Sequence, residues 1–325
     1  MRAITFDQPG DADVLRLADV ADLTAGAGEL LVRVRATAVN RADLLQRRGA
    51  YPPPPGASAV LGLEMAGEVL AVGDGVAGWP IGERVMALLP GGGYAEQVVI
   101  PADMALRIPV NLSFEQAAAF VEVWFTAYDN LFNWGRLSAG ETVLLHGGGS
   151  GIGTAAIQLA RWRGATPFVT AGSDEKIAQC VALGAHAGIN YRSEDWATRV
   201  GELTNGRGVD VILDIIGAAY LAPNLASLAV EGRLVIIGTM GGTSSELDLR
   251  TIMAKRLSVI GTTLRARPLA NKIALTRQIE RDVLPALADG TLRPIIHTVF
   301  DLADAAAAHR MMEASDHFGK IVLRV

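Results

Sequence analysis

The sequence predicts an α/β chain: a doubly wound parallel sheet joined to a second, β-rich domain. Three observations carry this. Strand-like stretches that include apolar–polar alternation dominate up to about residue 112. From Ser113 onward, apolar runs of strand length alternate with helical patterns. At the first of those runs the chain reads HGGGSGIG, residues 146–153, with five glycines in eight positions.

The bulk numbers fit two domains. A chain of 325 residues exceeds what one core usually serves. We expect 1–122 with 266–325 as the β-rich catalytic domain and 123–265 as the parallel-sheet domain. Hydrophobic residues make up 50% and charged ones 19%, which excludes disorder as the main state. The formal net charge is -5 with no Lys/Arg stripe, so nucleic acid is not an expected partner. The one cysteine, Cys180, can form neither an internal disulfide nor a thiolate-rich zinc site, and suits a reducing cytoplasm. The first residues reach Asp7 without a long apolar core, and no run approaches the roughly 18 apolar residues of a membrane span. A soluble cytoplasmic protein is expected.

Residues 30–36, 67–73, 84–88 and 95–100 read as strands, divided by Pro52 to Pro55 with Gly56, and by Pro90-Gly91-Gly92-Gly93. Ser113 and Gln116 form a capping box that opens a helix. Strands follow at 141–146, 166–170, 188–191, 209–214, 233–238 and 257–261, with helices over 174–183 and 219–229. Runs such as Leu234-Val235-Ile236-Ile237 do not alternate, as expected for strands buried on both faces. After about 265 the pattern is mostly helical through 271–287, and a last strand at 320–323 is expected to return to the N-terminal domain.

A strand, a glycine turn and a helix start make an anion site, because the first helical N–H groups lack partners and the dipole is positive there. Gly151 and Gly153 would let a pyrophosphate approach, while Ile152, Ala156, Leu159 and Ala160 bury the helix. The strict G-x-G-x-x-G is not met, since Ile152 or Thr154 occupies the last position; the strand–helix context carries the dinucleotide reading. An NAD site places an acid about 20 residues on. Ser173 stands there, with Lys176 a turn later, which suits a 2′-phosphate and NADPH. Asp174 and Glu175 lie beside them and also read as acids that complement a helix capped by Ser173. Lys176 also reads as a solvated helix residue.

Several motifs together carry a resemblance. They are the run from Asn40 to Gly49, Tyr51 with its prolines, Leu61-Gly62-Leu63-Glu64 and the run from Pro90 to Glu96. The glycine loop, Ile189-Asn190-Tyr191-Arg192, the run from Gly206 to Asp210, and Gly319-Lys320-Ile321-Val322 complete the set. The chain resembles, over nearly its whole length, the zinc-free quinone oxidoreductases of the medium-chain dehydrogenase/reductase superfamily, and above all the p53-inducible branch. The resemblance implies a Rossmann domain, a GroES-like catalytic domain and NADPH. It implies that Gly147, Ser150, Gly151, Ile152 and Gly153 form the pyrophosphate loop and that Ser173, Lys176 and Tyr191 hold the 2′-phosphate. Gly238, Leu264 and Lys320 would border the nicotinamide, with Thr126 nearby. Asn40, Asp43 and Tyr51 would be the catalytic residues. Zinc-dependent cousins carry Cys where Asn40 stands and His where Leu63 stands, so no metal is expected. Two departures are Gly147, usually Ala, and Val121-Glu122-Val123, often Pro-Glu-Thr.

The residues alone permit plainer roles. Asn40 and Asp43 also read as a helix cap, and Tyr51 as packing on its prolines. His146 reads as a satisfied polar residue, Cys180 as a small buried hydrophobe, and Glu64 equally as structural or catalytic. Met311-Met312 reads as packing. The expected function is NADPH-dependent reduction of quinones or similar conjugated carbonyls. The alternatives are an NADPH-dependent enoyl or 2-alkenal reductase and a non-catalytic nucleotide-sensing protein. The apolar strand near 257–261 suggests a homodimer.

Overall fold

A computed structural model describes every residue from Met1 to Val325. The chain divides into two units: unit 1 is Met1–Phe125 with Leu264–Val325, and unit 2 is Thr126–Thr263. Fifteen strands follow in chain order: β1 (Arg2–Thr5), β2 (Arg16–Asp19), β3 (Glu29–Ala38), β4 (Glu64–Val72), β5 (Arg84–Leu88), β6 (Gln97–Pro101), β7 (Leu106–Arg107), β8 (Thr142–His146), β9 (Thr166–Ala171), β10 (Ala187–Asn190), β11 (Val209–Asp214), β12 (Leu228–Ile236), β13 (Ser258–Gly261), β14 (Ile296–Asp301) and β15 (Lys320–Arg324). The first seven helices are α1 (Arg41–Arg47), α2 (Phe114–Ala118), α3 (Val121–Tyr128), α4 (Gly151–Trp162), α5 (Asp174–Leu183), α6 (Trp196–Leu203) and α7 (Leu221–Ser227). The last four are α8 (Leu249–Lys255), α9 (Leu269–Asp282), α10 (Leu284–Ala288) and α11 (Ala305–Ala314).

Unit 1 holds a seven-stranded sheet of order β14-β15-β3-β4-β5-β7, with β6 also on β3. β3 shows why it is a strand: Leu30, Val32, Val34, Ala36 and Ala38 are buried at every second position, with exposed Arg33 and Arg35 between them. One core gathers Leu30, Val32, Val34, Met65, Val69 and Val85; a second joins Ile4, Leu44, Leu61, Tyr94 and Ile321. β15 enters antiparallel to β3 and parallel to β14.

The tail is less helical than its pattern suggests. β14 lies in it as a sheet edge, with no fully buried residue, so its alternation is weak. The helical run expected over 271–287 breaks at Val283, and Pro285 sits in the first turn of α10, where its missing N–H does no harm.

Unit 2 is a six-stranded parallel sheet of order β10-β9-β8-β11-β12-β13. Chain order runs outward one way through β9 and β10 and the other way through β11, β12 and β13. The reversal lies between β8 and β11, and ligands of such sheets bind beyond the carboxyl ends of the strands at that point. α4 and α5 follow β8 and β9, each opened by a serine cap. The core includes Leu144, Phe168, Ile189, Ile212, Leu225 and Leu234. No helix is long and apolar enough to cross a membrane.

Candidate active site

In unit 2, β8 delivers the chain into the glycine loop. Gly147 has φ +72°, a region where a side chain is strained, and a Cβ there would stand 2.5 Å from the Ile215 Cδ1. The usual alanine is therefore disfavoured at this loop's first position. A Cβ on Gly153 would stand 2.4 Å from the Gly147 carbonyl oxygen and 2.5 Å from that of Gly148. Glycine there lets the first turn of α4 fold back on the loop. Ser150 caps α4, its Oγ accepting from the Gly153 N–H at 3.0 Å. The N–H groups of Gly151 and Ile152, in the same first turn, meet no acceptor within the chain. They form a cradle of positive dipole for an anion.

A second cluster lies beyond β9 and β10. Ser173 caps α5, accepting from the Lys176 N–H at 3.3 Å. A Cβ on Gly172 would stand 2.6 Å from the Tyr191 hydroxyl and 3.4 Å from Arg192 Nε. Ser173, Tyr191 and Arg192 thus gather around Gly172, with Lys176 on the first turn of α5. The Asp174 carboxylate accepts from Asn190 Nδ2 at 2.8 Å, so this acid is engaged by β10. The sequence assigns Arg192 no role, and only its place after Tyr191 could single it out. Gly238 packs on the loop after β11, where a Cβ would meet the Ile215 carbonyl oxygen at 2.9 Å. Thr126 is buried on α3, its carbonyl accepting from Asn130 Nδ2 at 2.8 Å.

In unit 1, α1 is preceded by its cap residue Asn40, whose N–H donates to Asp43 Oδ2 at 2.8 Å. Asp43 also accepts from the Gly62 N–H at 3.1 Å and the Tyr94 hydroxyl at 3.3 Å, and is fully buried. Burial pushes its carboxyl up to about 6, against the Asn40 and Gly62 amides that favour the charged form. The geometry is that of a helix cap, in which the buried Asp43 carboxylate holds the Asn40 N–H.

The Asn40 side chain joins Lys320 and Glu64. Lys320 Nζ donates to Asn40 Oδ1 at 2.6 Å, Glu64 Oε1 at 2.8 Å and the Val39 carbonyl at 3.1 Å, which uses its three donors. Asn40 Nδ2 donates to Glu64 Oε1 at 2.8 Å, and Glu64 Oε2 accepts from the Glu122 N–H at 2.7 Å in the first turn of α3. Glu64 is a structural hub, and the side chains of Lys320 and Glu64 are 3% and 0% exposed.

Tyr51 is half-buried, and its hydroxyl has no partner within the chain. The Arg265 guanidinium lies 5.3 Å from its ring centroid and is fixed by the Pro90 carbonyl at 2.7 Å and Gln46 Oε1 at 2.6 Å. Burial raises the Tyr51 phenol, while Arg265 opposes that rise. Leu264 precedes this arginine and is half-buried. Nothing in the sequence singles out Arg265.

These residues do not fit zinc. The oxygens of Asn40 and Glu64 converge on an ammonium group, and Leu63 is a buried hydrophobe. Cys180 lies in unit 2 with its thiol pushed up to about 12 by burial, and no group of three or more His, Cys, Asp or Glu side chains converges anywhere.

Comparison with known proteins places this geometry. The alcohol dehydrogenase GroES-like domain family matches residues 26–110, and the zinc-binding dehydrogenase family matches residues 151–278. The chain is 35% identical to a phenolphthiocerol/phthiocerol polyketide synthase of Mycobacterium tuberculosis over 99% of its own length, but spans only 15% of that protein. It is 32% identical to the quinone oxidoreductase of Rattus norvegicus, covering 99% of this chain and 97% of the relative. The Escherichia coli quinone oxidoreductase complexed with NADPH superposes with a TM-score of 0.90 at 29% identity, covering 100% of both chains. The JamJ enoyl reductase superposes with a TM-score of 0.88 at 28% identity, covering 99% of this chain and 98% of that one. With its parallel Rossmann sheet and GroES-like domain, the chain belongs to the quinone-oxidoreductase-like family of the medium-chain dehydrogenase/reductase superfamily.

Proposed function

We propose that this protein is an NADPH-dependent oxidoreductase that reduces quinones or similarly electron-poor conjugated carbonyls without zinc. The observation that carries the reading is the pair of unpartnered amides, Gly151 and Ile152, in a turn that folds closely on itself because residue 153 is glycine. NADPH, when bound, supplies the hydride. The chain supplies grip and orientation. The Gly151 and Ile152 amides hold the diphosphate; Ser173, Lys176, Tyr191 and Arg192 hold the 2′-phosphate. In unit 1 the Tyr51 hydroxyl donates a proton to the reduced carbonyl oxygen, with Arg265 holding its ring. Asn40 is fixed by Lys320 and Glu64 as a rigid polar group of the same unit. A quinone is already a good acceptor, so the reaction needs little Lewis-acid help.

Turnover of NADPH with a panel of quinones, followed at the reduced nicotinamide band, tests the reading; no turnover with any quinone overturns it. Changing both Lys176 and Arg192 to alanine should raise the KM for NADPH about tenfold or more, since each removes a charge-assisted hydrogen bond. The KM for NADH should barely move. Equal losses for both cofactors would remove the 2′-phosphate assignment.

The likeness to an enoyl reductase supports a second reading, reduction of a 2-alkenal or enoyl substrate. There a proton goes to the α-carbon, and the Tyr51 hydroxyl serves equally. The ratio of kcat/KM for an ortho-quinone and a 2-alkenal separates the two.

We also propose a cytoplasmic two-fold dimer through β13, which ends the sheet of unit 2 and exposes Val259. Light scattering should show a dimer, and Val259→Lys should give monomers; a monomeric wild-type protein removes this proposal.

A further inference from the structure

We propose that His146 is a positioning residue that couples the diphosphate loop to the loop after β11 through one buried hydrogen-bond relay. The inference rests on the NADPH reading above for its functional consequence. His146 ends β8 and lies in register with Thr170, near the end of β9. Its Nδ1 is 3.0 Å from Thr170 Oγ1, and its Nε2 is 2.7 Å from Asn224 Oδ1 on α7. Asn224 Nδ2 donates onward to Asp214 Oδ2 at 3.2 Å, at the end of β11. Asp214 accepts from the N–H groups of Ile216 at 2.7 Å and Gly217 at 3.1 Å. At the other end Thr170 Oγ1 accepts from the Gly147 N–H at 3.4 Å, and the Thr170 carbonyl accepts from that of Gly148 at 2.9 Å.

The relay has one self-consistent orientation. Asp214 is acceptor-only when charged, so it takes the amide nitrogen of Asn224 and leaves the amide oxygen for His146. His146 then carries its hydrogen on Nε2, and Nδ1 accepts from the Thr170 hydroxyl. The imidazole is neutral, and burial holds it far below its usual range, at about 4. Trp196 and Tyr220 pack edge-on against the ring at 4.8 and 4.9 Å, which fixes its plane.

Both ends of the relay are ligand-side loops. Ile215 touches Gly147, and Gly217 packs against Gly238 and Gly242, so the two loops also meet by contact. A histidine that merely filled space could be replaced by phenylalanine with a loss of stability and nothing more. A positioning histidine predicts that both loops loosen together.

The test uses His146→Phe, His146→Gln and Asn224→Leu, read by hydrogen–deuterium exchange of the cofactor-free protein and by NADPH kinetics. His146→Phe should raise exchange in 147–153 and in 215–217 together. It should raise the KM for NADPH about tenfold while kcat stays within about twofold. His146→Gln keeps a donor toward Asn224 and should restore most of the loss. His146→Phe with Asn224→Leu should lose no more than either alone, because both break one relay. Unchanged loop exchange, or additive losses, would overturn the proposal. If wild-type protein binds no NADPH, the functional reading falls, and loop exchange in His146→Gln against His146→Phe still decides the relay.

Discussion

Replacing Lys320 with methionine should destabilise the protein by about 3–5 kcal/mol, the usual cost of stripping one partner from a buried ion pair. The side chain is 3% exposed and its ammonium meets Glu64, Asn40 and the Val39 carbonyl. Methionine fills the volume but leaves the Glu64 carboxylate in a site from which water is excluded. That carboxylate also receives the Glu122 N–H, so the start of α3 should loosen as well. Urea unfolding followed by circular dichroism measures the loss. Adding Glu64→Gln removes the orphaned charge and should recover most of it. A loss below about 1 kcal/mol in Lys320→Met would mean that the pair is solvated and contributes as weakly as a surface pair.

Gly153→Ala should weaken NADPH binding about 100-fold or more, because the cradle amides next to it supply charge-assisted bonds of about 1.5–3 kcal/mol each. The added Cβ would lie 2.4 Å from one backbone oxygen and 2.5 Å from another, so the loop itself must shift. Stability should fall by about 1–3 kcal/mol from overpacking alone. Gly201→Ala is the control: it lies within α6, and its Cβ would meet nothing within 4 Å. That change should stabilise by about 0.5–1 kcal/mol through helix propensity. Calorimetric titration of NADPH into each variant measures the contrast, and equal affinities would detach the diphosphate from this loop.

Local chemistry was legible in the sequence. α5 begins after Ser173 and ends at Leu183 before Gly184, as its cap and its terminal glycine require. The central strands of unit 2 could be read because both their faces are buried and they carry short apolar runs, such as Val211-Ile212-Leu213 in β11. β14 could not, because an edge strand with half-buried residues carries little periodicity. The site divides along the same line. The glycine loop is contiguous, so spacing reveals it. The hub of Asn40, Glu64 and Lys320 joins residues up to 280 positions apart, and no window of sequence contains it. Glu64 is evenly balanced between two roles until its partners are known. Asp174 next to Ser173 obscures the cofactor choice until Asn190 is seen to engage it.

β15 lies inside the sheet of unit 1, between β14 and β3, although it follows the whole of unit 2 in the chain. Synthesis on the ribosome therefore treats the two units differently. Unit 2 has all its strands once Gly261 has emerged and is then free to fold, whereas the end of β3, Ala36 to Ala38, waits for Val322 to Arg324, its first half being paired already by β6. Until then the backbone groups of Ala36 to Ala38 lack their ladder partners on β15 and form a short templating edge of the kind that invites pairing with other chains.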